Sequence, residues 1–273
     1  MASIMIRTLK NLLAGALVAL GFALPASAVT TGVDFTDLWW NPAEPGWGLN
    51  VIHQQGIIFA TLYVYDASGV PHFYSASETR GTGNSFTGPL FETRGTYYGT
   101  TPYNAGAYGA TAVGTLSINY STSNSGTLTY NVAGITVNKS ITRFAFATDN
   151  LSGRYLGGLT ATSVCSSGNQ STLIFDTLSV TQNGNAISMT VTFFNSSNTP
   201  SSCVFSGSYG PMGRLGTITG TFSCTVGSQA VNSGPFTISN VQASQTGFSG
   251  TFNGSDQFCS NHTGYFGGVR DVL

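Results

Sequence analysis

The sequence predicts an all-β protein: two antiparallel up-and-down barrels, or barrel-like sandwiches, of about eight strands each, behind a cleaved signal peptide. Three observations carry this. Runs rich in Val, Ile, Phe, Tyr and Thr recur roughly every ten to fifteen residues, separated by Gly, Asn, Asp and Pro. No segment after the leader sustains the apolar spacing of a helix. Cysteine appears only beyond residue 150, where the strand pattern restarts after Thr148-Asp149-Asn150-Leu151. The expected organisation is a signal peptide over 1–28, a Trp-rich barrel-like domain over 29–149 and a disulfide-containing barrel-like domain over 150–273.

The leader is read from Arg7 and Lys10, an apolar stretch from Leu12 to Leu24, and Ala26-Ser27-Ala28. A basic start, a short apolar middle and a small-residue exit describe a secretory signal, with Val29 as the new N-terminus. The apolar run is short for a membrane anchor, which needs about 20 residues. No later stretch is long and apolar enough to span as a helix. The chain is therefore expected to be bacterial, and secreted or periplasmic.

Composition narrows the partners. Charged residues make up 7% of the chain, and after the leader only seven basic residues face ten acidic ones. Lys139 is the one lysine in that portion. Nucleic-acid binding and a polybasic membrane patch both need clustered Lys and Arg, so neither is expected. The 18 Phe and 12 Tyr, regularly spaced among β-branched residues, argue against disorder.

In the first half, Gly48–His53 leads through a turn at Gln54-Gln55-Gly56 to a strand over 57–65. Asp66-Ala67-Ser68-Gly69 turns the chain again, with Gly69 suited to positive φ. Further strands are expected over 70–77, 84–93, 95–99, 110–120, 125–133 and 136–146. In the second half they are expected over 153–165, 171–182, 186–196, 202–209, 216–224, 230–240, 245–253 and 263–270. The first and last of these share a phrase, Gly153-Arg154-Tyr155-Leu156-Gly157-Gly158 and Gly264-Tyr265-Phe266-Gly267-Gly268. In a closed barrel these strands are neighbours, and small glycines let them approach closely.

Cys165, Cys203, Cys224 and Cys259 form an even set in an exported chain, so two disulfides are expected. A hairpin turning at Gly213-Arg214 sets Cys203 opposite Cys224, Phe205 opposite Phe222, Gly207 opposite Gly220 and Tyr209 opposite Ile218. Cys203–Cys224 with Cys165–Cys259 is the favoured pairing; Cys165–Cys203 with Cys224–Cys259 is the rival. Cys259-Ser260-Asn261-His262 lacks a second close ligand pair, so no metal site is expected. No cofactor is implied.

Catalytic signatures are missing. Gly247-Phe248-Ser249-Gly250 falls one residue short of a nucleophile elbow and lies in a strand. A glycosidase needs two carboxylates across a cleft; Glu44 lies among tryptophans, with Glu78 or Glu92 as partners in principle. Glu44 between Pro42 and Pro45 reads better as a loop acid accepting backbone hydrogen bonds. Asp66-Ala67-Ser68-Gly69 lacks the later acidic ligands of a calcium loop.

All three tryptophans fall between residues 39 and 47. In one reading Trp39 and Trp40 begin the first strand, one of them plugs a barrel end, and Trp47 restarts a strand. In the other, Trp39, Trp40, Trp47, Tyr63, Tyr65 and Tyr74 line a ligand site, with Asn41, Glu44 and His53 as polar handles.

The stretch Trp39-Trp40-Asn41-Pro42-Ala43-Glu44-Pro45-Gly46-Trp47-Gly48, followed by Gln55-Gly56 and by Tyr65-Asp66-Ala67-Ser68-Gly69-Val70-Pro71, resembles a recurrent module of secreted proteobacterial proteins. Its pattern is W-[WY]-N-P-x-E-x-G-x-G, then Q-G with an aromatic strand, then Y-D-x-x-G-x-P, over about forty residues. The chain departs from it with Leu62 and Phe73 where the module carries Trp. The resemblance implies origin and export; it implies no activity. The expected role is non-catalytic binding of a small apolar or sugar-like ligand, or of a surface glycan, at the aromatic cluster. The alternatives are a structural or adhesive envelope protein and an extracellular polymer hydrolase.

Overall fold

The computed structural model describes residues 33–271. The leader and its cleavage site lie outside the described residues. The first barrel comprises β1 (Asp37–Trp40), β2 (Gly48–Gln54), β3 (Ile57–Tyr65), β4 (Pro71–Thr82), β5 (Ser85–Arg94), β6 (Gly109–Tyr120), β7 (Ser125–Val132) and β8 (Ile135–Arg143), with a 3-10 turn (Ala105–Ala107) before β6. The second comprises β9 (Gly153–Cys165), β10 (Gly168–Asn183), β11 (Ala186–Phe194), β12 (Pro200–Met212), β13 (Leu215–Val226), β14 (Gln229–Ser244), β15 (Gly247–Gly254) and β16 (Cys259–Arg270). Each set closes on itself, all antiparallel, first strand against last.

Period-two alternation builds the first barrel. Leu49 and Val51 of β2 point inward while Asn50 and Ile52 point outward. Ile58, Ala60 and Leu62 of β3, Leu90 of β5, Leu116 and Ile118 of β6, and Leu128 of β7 are fully buried. Each such Leu or Ile contributes about 1.5–3 kcal/mol by leaving water. Both interiors are thus apolar, whereas an outer-membrane barrel holds its apolar band outside. No helix among the described residues is long and apolar enough to cross a membrane.

The expected strand over 95–99 is absent, and β1 takes its place in the count. Residues 95–99 lie in the loop between β5 and β6. There Tyr97 and Tyr98 pack on each other, 4.5 Å between centroids, and neither is buried in the barrel. Gly95 and Gly99 flank the short run, which leaves no alternating face to bury.

One end of the first barrel is plugged by aromatics. Phe35 stacks on Tyr120 at 3.8 Å and 6°, Trp39 tilts against Tyr120 at 4.8 Å, and Phe86 meets Phe35 edge-on. The Trp39 indole N–H donates to the Phe35 carbonyl at 3.0 Å. Beneath the indole, Arg143 lies 4.9 Å from its centroid. The Arg143 side chain is wholly buried and donates to Asp37 Oδ2 (2.8 Å), to the carbonyls of Asp34 (2.6 Å) and Thr36 (3.2 Å), and through Nε to Ser123 O (2.6 Å).

The second barrel shows the register expected for its central hairpin. Cys203 faces Cys224, Phe205 faces Phe222, Gly207 faces Gly220, Tyr209 faces Ile218, and the turn is Gly213-Arg214. The disulfides are Cys165–Cys259 and Cys203–Cys224. Phe205 anchors the core among Phe222, Phe236, Phe252 and Phe266, 4.9–6.0 Å between centroids. At the β9–β16 seam Gly157 pairs with Gly268 and Gly158 with Gly267. A Cβ on Gly157 would come within 2.2 Å of Gly267 O, so the seam admits no side chain there.

The Gly213-Arg214 turn docks on the plugged end of the first barrel. Arg214 N donates to Asp37 Oδ2 at 2.7 Å, and its guanidinium reaches Asp34 Oδ2 at 3.2 Å. Gly213 holds φ +64°, and a Cβ there would lie 2.2 Å from Asp37 Oδ2. One carboxylate oxygen therefore serves the cation inside its own barrel and the backbone of the other. Arg143→Met leaves Asp37 buried without its cation. The expected cost is about 3–5 kcal/mol in urea unfolding followed by tryptophan fluorescence; a midpoint like that of the parent would count against the pair as an anchor.

Candidate functional site

The residues singled out around the tryptophans do not converge on one cavity. They divide among three places. Trp39 (1% exposed) and His53 belong to the plugged end. His53 Nδ1 accepts from Phe35 N at 3.3 Å, and its ring packs against Phe35 and Phe86. Trp39 is a core residue and His53 is half-buried against the aromatic plug, so neither faces the groove described below.

The second place is the opposite end of the same barrel, where the β1–β2 loop folds over. Asn41 Oδ1 accepts from Ala43 N, and Glu44 N donates to Asn41 O, each at 3.0 Å, so Asn41 shapes the turn. Glu44 Oε2 accepts from Trp47 Nε1 at 3.1 Å and from Lys139 Nζ at 2.5 Å, with Nζ 5.8 Å from the Trp47 ring. Lys139 foremost, then Trp47, holds the Glu44 carboxyl below its usual range. An ionised, doubly bonded carboxylate is a poor general acid. Tyr74 stacks near His72, 6.1 Å between centroids; burial first, then Glu92 and Asp66, push its phenol up.

The third place is the outer face. Trp40 points outward and meets Phe144 edge-on at 4.7 Å, while Tyr63 and Tyr65 are half exposed. Tyr63 belongs to a groove of about 700 Å³ across β3–β6 that also takes in Phe59, Phe73, Phe91 and Tyr108. Tyr63 pairs with Phe73, Thr61 with Ser75, Ser75 with Phe91, and Thr93 with Ala110. Hydroxyls of Thr61, Ser75, Ser77 and Thr93 thus alternate with rings, and among the described side chains none that lines the groove is charged. The ladder shifts register at Ile58/Ala60, between Ser75 and Arg80, and at Leu90/Phe91. Such irregularities bend strands, and here three of them surround one surface. Phe59, Phe73, Phe91 and Tyr108 were not singled out from the sequence. The signal was available for two of them: Phe59 shares the parity of Tyr63, and Phe73 is its partner across the hairpin.

A separate polar cluster occupies the disulfide end of the second barrel. Ser163 Oγ lies 2.6 Å from His262 Nδ1, and His262 Nε2 lies 3.2 Å from Asp256 Oδ2. The trio has the order of a serine hydrolase without its setting. Ser163 is 1% exposed and sits two residues before the end of β9, still paired with β10 and β16 on either side. Its backbone is regular strand, with neither a strained turn nor free amides to hold an oxyanion. Asp256 also accepts from Asn232 Nδ2, Phe258 N and Cys259 N, each at 2.8 Å. Burial pushes its carboxyl up, but these bonds and that to His262 outweigh it and hold the group below its usual range. The Asp256-x-x-Cys259-x-x-His262 spacing was the sequence signal for the acid; Ser163 needed the strand pairing.

No protein-family model, characterised protein or solved structure matches this chain.

Two outcomes follow from these positions. Trp39→Ala should cost about 3–5 kcal/mol in urea unfolding and Trp47→Ala about 1 kcal/mol or less; equal costs would refute the division between plug and loop. Because the folded-state carboxyl of Asp256 is depressed, its contribution is complete above the ordinary value of 3.8 and is lost as pH falls below it. Unfolding midpoints measured downward from pH 5 should therefore drop less steeply for Asp256→Asn than for the parent.

Proposed function

We propose that this is an exported, non-catalytic binding protein whose outer-face groove on the first barrel takes a neutral glycan chain. The observation that carries the reading is the groove itself: rings of Phe59, Tyr63, Phe73, Phe91 and Tyr108 interleaved with Ser and Thr hydroxyls, with no charged group among the described side chains that line it. Sugar rings offer C–H faces that pack on aromatic rings and hydroxyls that bond to Ser and Thr; an open groove accommodates a chain rather than one enclosed ligand. The fully buried Leu49, Leu62, Leu90 and Leu116 fill the barrel interior, which favours the outside for binding. Export is supported by the leader pattern, by two disulfides and by the resemblance to secreted proteobacterial proteins.

An adhesive envelope role is the second reading. Tyr97, Tyr98 and Tyr103, all at least 66% exposed, lie in the loop beside the groove and favour contact with a broad surface. Affinity electrophoresis in gels containing neutral polysaccharides separates the two. Glycan binding predicts retardation that Tyr63→Ala or Phe73→Ala weakens about tenfold while circular dichroism is unchanged. Retardation by no neutral polysaccharide, with attachment to cell surfaces lost on truncation of the 95–108 loop, would favour adhesion.

A further inference from the structure

We infer that the disulfide end of the second barrel is a redox-gated site for a zinc-like divalent cation, formed by Cys165, Cys259, His262 and Asp256 once the Cys165–Cys259 bond is reduced. This is independent of the glycan groove. The donor atoms of Asp256, Cys259 and His262 already lie within 4.8 Å of one another, and Cys165 Sγ is 2.04 Å from Cys259 Sγ. His262 Nε2 and Asp256 Oδ2, 3.2 Å apart, have the spacing of two ligands on one tetrahedral ion with bonds of about 2.0–2.2 Å.

Local backbone makes the set possible. Cys259 and His262 are three residues apart, so a regular strand would send them to opposite faces. A register shift between Cys259 and Asn261 places both inward. Cys165 faces Cys259 directly across the β9–β16 seam, and the ladder continues at Val164 and Ser163, so the two sulfurs stay opposed when their bond is cut. Asp256 and His262 carry the supporting contacts of metal ligands. Asn232 and the Phe258 and Cys259 amides orient the carboxylate, and Ser163 meets the imidazole nitrogen that does not face the site. The neighbouring Gln257 and Phe258 are exposed, giving the cluster a way to solvent.

In the oxidised chain both sulfurs are consumed, and His262 bonds to Asp256 instead. A dithiol reductant supplies two electrons and two protons: the S–S bond breaks, two thiols form, and the dithiol leaves as its cyclic disulfide. Cation binding then releases the two thiol protons to solvent. With Nε2 on the ion, the hydrogen of the imidazole sits on Nδ1 and is donated to Ser163 Oγ. The same seam is thus held by a covalent bond when oxidised and by a coordinated ion when reduced.

The test uses the purified protein, reduced with dithiothreitol, desalted without oxygen and titrated with Co²⁺. The expected result is one Co²⁺ per chain with the intense visible absorption of a tetrahedral thiolate site, displaced by Zn²⁺ and missing from the oxidised protein. Bound Zn²⁺ should shield Cys165 and Cys259, but not Cys203 and Cys224, from iodoacetamide, as read by peptide mass mapping. Ser163→Ala should weaken Co²⁺ binding about 10–100-fold, and His262→Ala and Asp256→Asn at least as much, with folding of each variant checked by circular dichroism. No Co²⁺ uptake by the reduced protein, shielding at Cys203 and Cys224 instead, or unchanged affinity in both His262→Ala and Asp256→Asn would overturn the inference.

Discussion

The Asp37 carboxylate is the point on which the arrangement of the chain turns. It neutralises Arg143 inside the first barrel and accepts the Arg214 amide at the tip of the β12–β13 hairpin. A guanidinium with no exposed surface is costly to bury, and the cost is offset only where its donors find partners. Arg143 places four of its five N–H groups on one carboxylate and three backbone carbonyls and lies against the face of Trp39. The ion pair is therefore less a source of stability than a condition that makes one geometry acceptable. Shifting β8 relative to β1, or the hairpin relative to Asp37, would strand a charge.

Closure of both barrels shapes where chemistry can occur. A closed eight-stranded sheet leaves an interior only wide enough for side chains, and here those are Leu, Ile, Val and Phe. Recognition then falls to the outer surface and the barrel ends. On the first barrel the outer surface carries rings at period two on β3 and their partners on β4, where three register shifts bend the sheet into a groove. On the second, the end near the disulfides collects a serine, a histidine and an aspartate that the apolar core excludes.

These two polar centres use opposite solutions. Asp37 and Arg143 form an ion pair whose further hydrogen bonds go to the backbone. Ser163, His262 and Asp256 form a chain in which an imidazole bridges a hydroxyl and a carboxylate, beside a covalent bond between strands. The first locks two barrels at one surface. The second sits at the seam where the first and last strands of one barrel meet, the place where an open sheet would otherwise expose its edges.

Much of the fold was legible in the chain itself, because period-two alternation, turn residues and the β12–β13 hairpin pairings are local. About eight strands in each half, and the opposition of Cys203 to Cys224, follow from those rules. The strand expected over 95–99 failed because glycines and two adjacent exposed tyrosines mimic a strand without a face to bury. Site residues were read less well. Proximity along the chain grouped Trp39, Trp47 and Tyr63, yet strand parity and the barrel ends send one inward, one to the loop end and one outward. The groove, the Asp37 node and the Ser163–His262–Asp256 chain each join residues tens to more than a hundred positions apart. Sequence alone determined which way side chains alternate along each strand; only closure of the sheets decided which alternating faces meet, because that depends on register between segments the chain connects by no local rule.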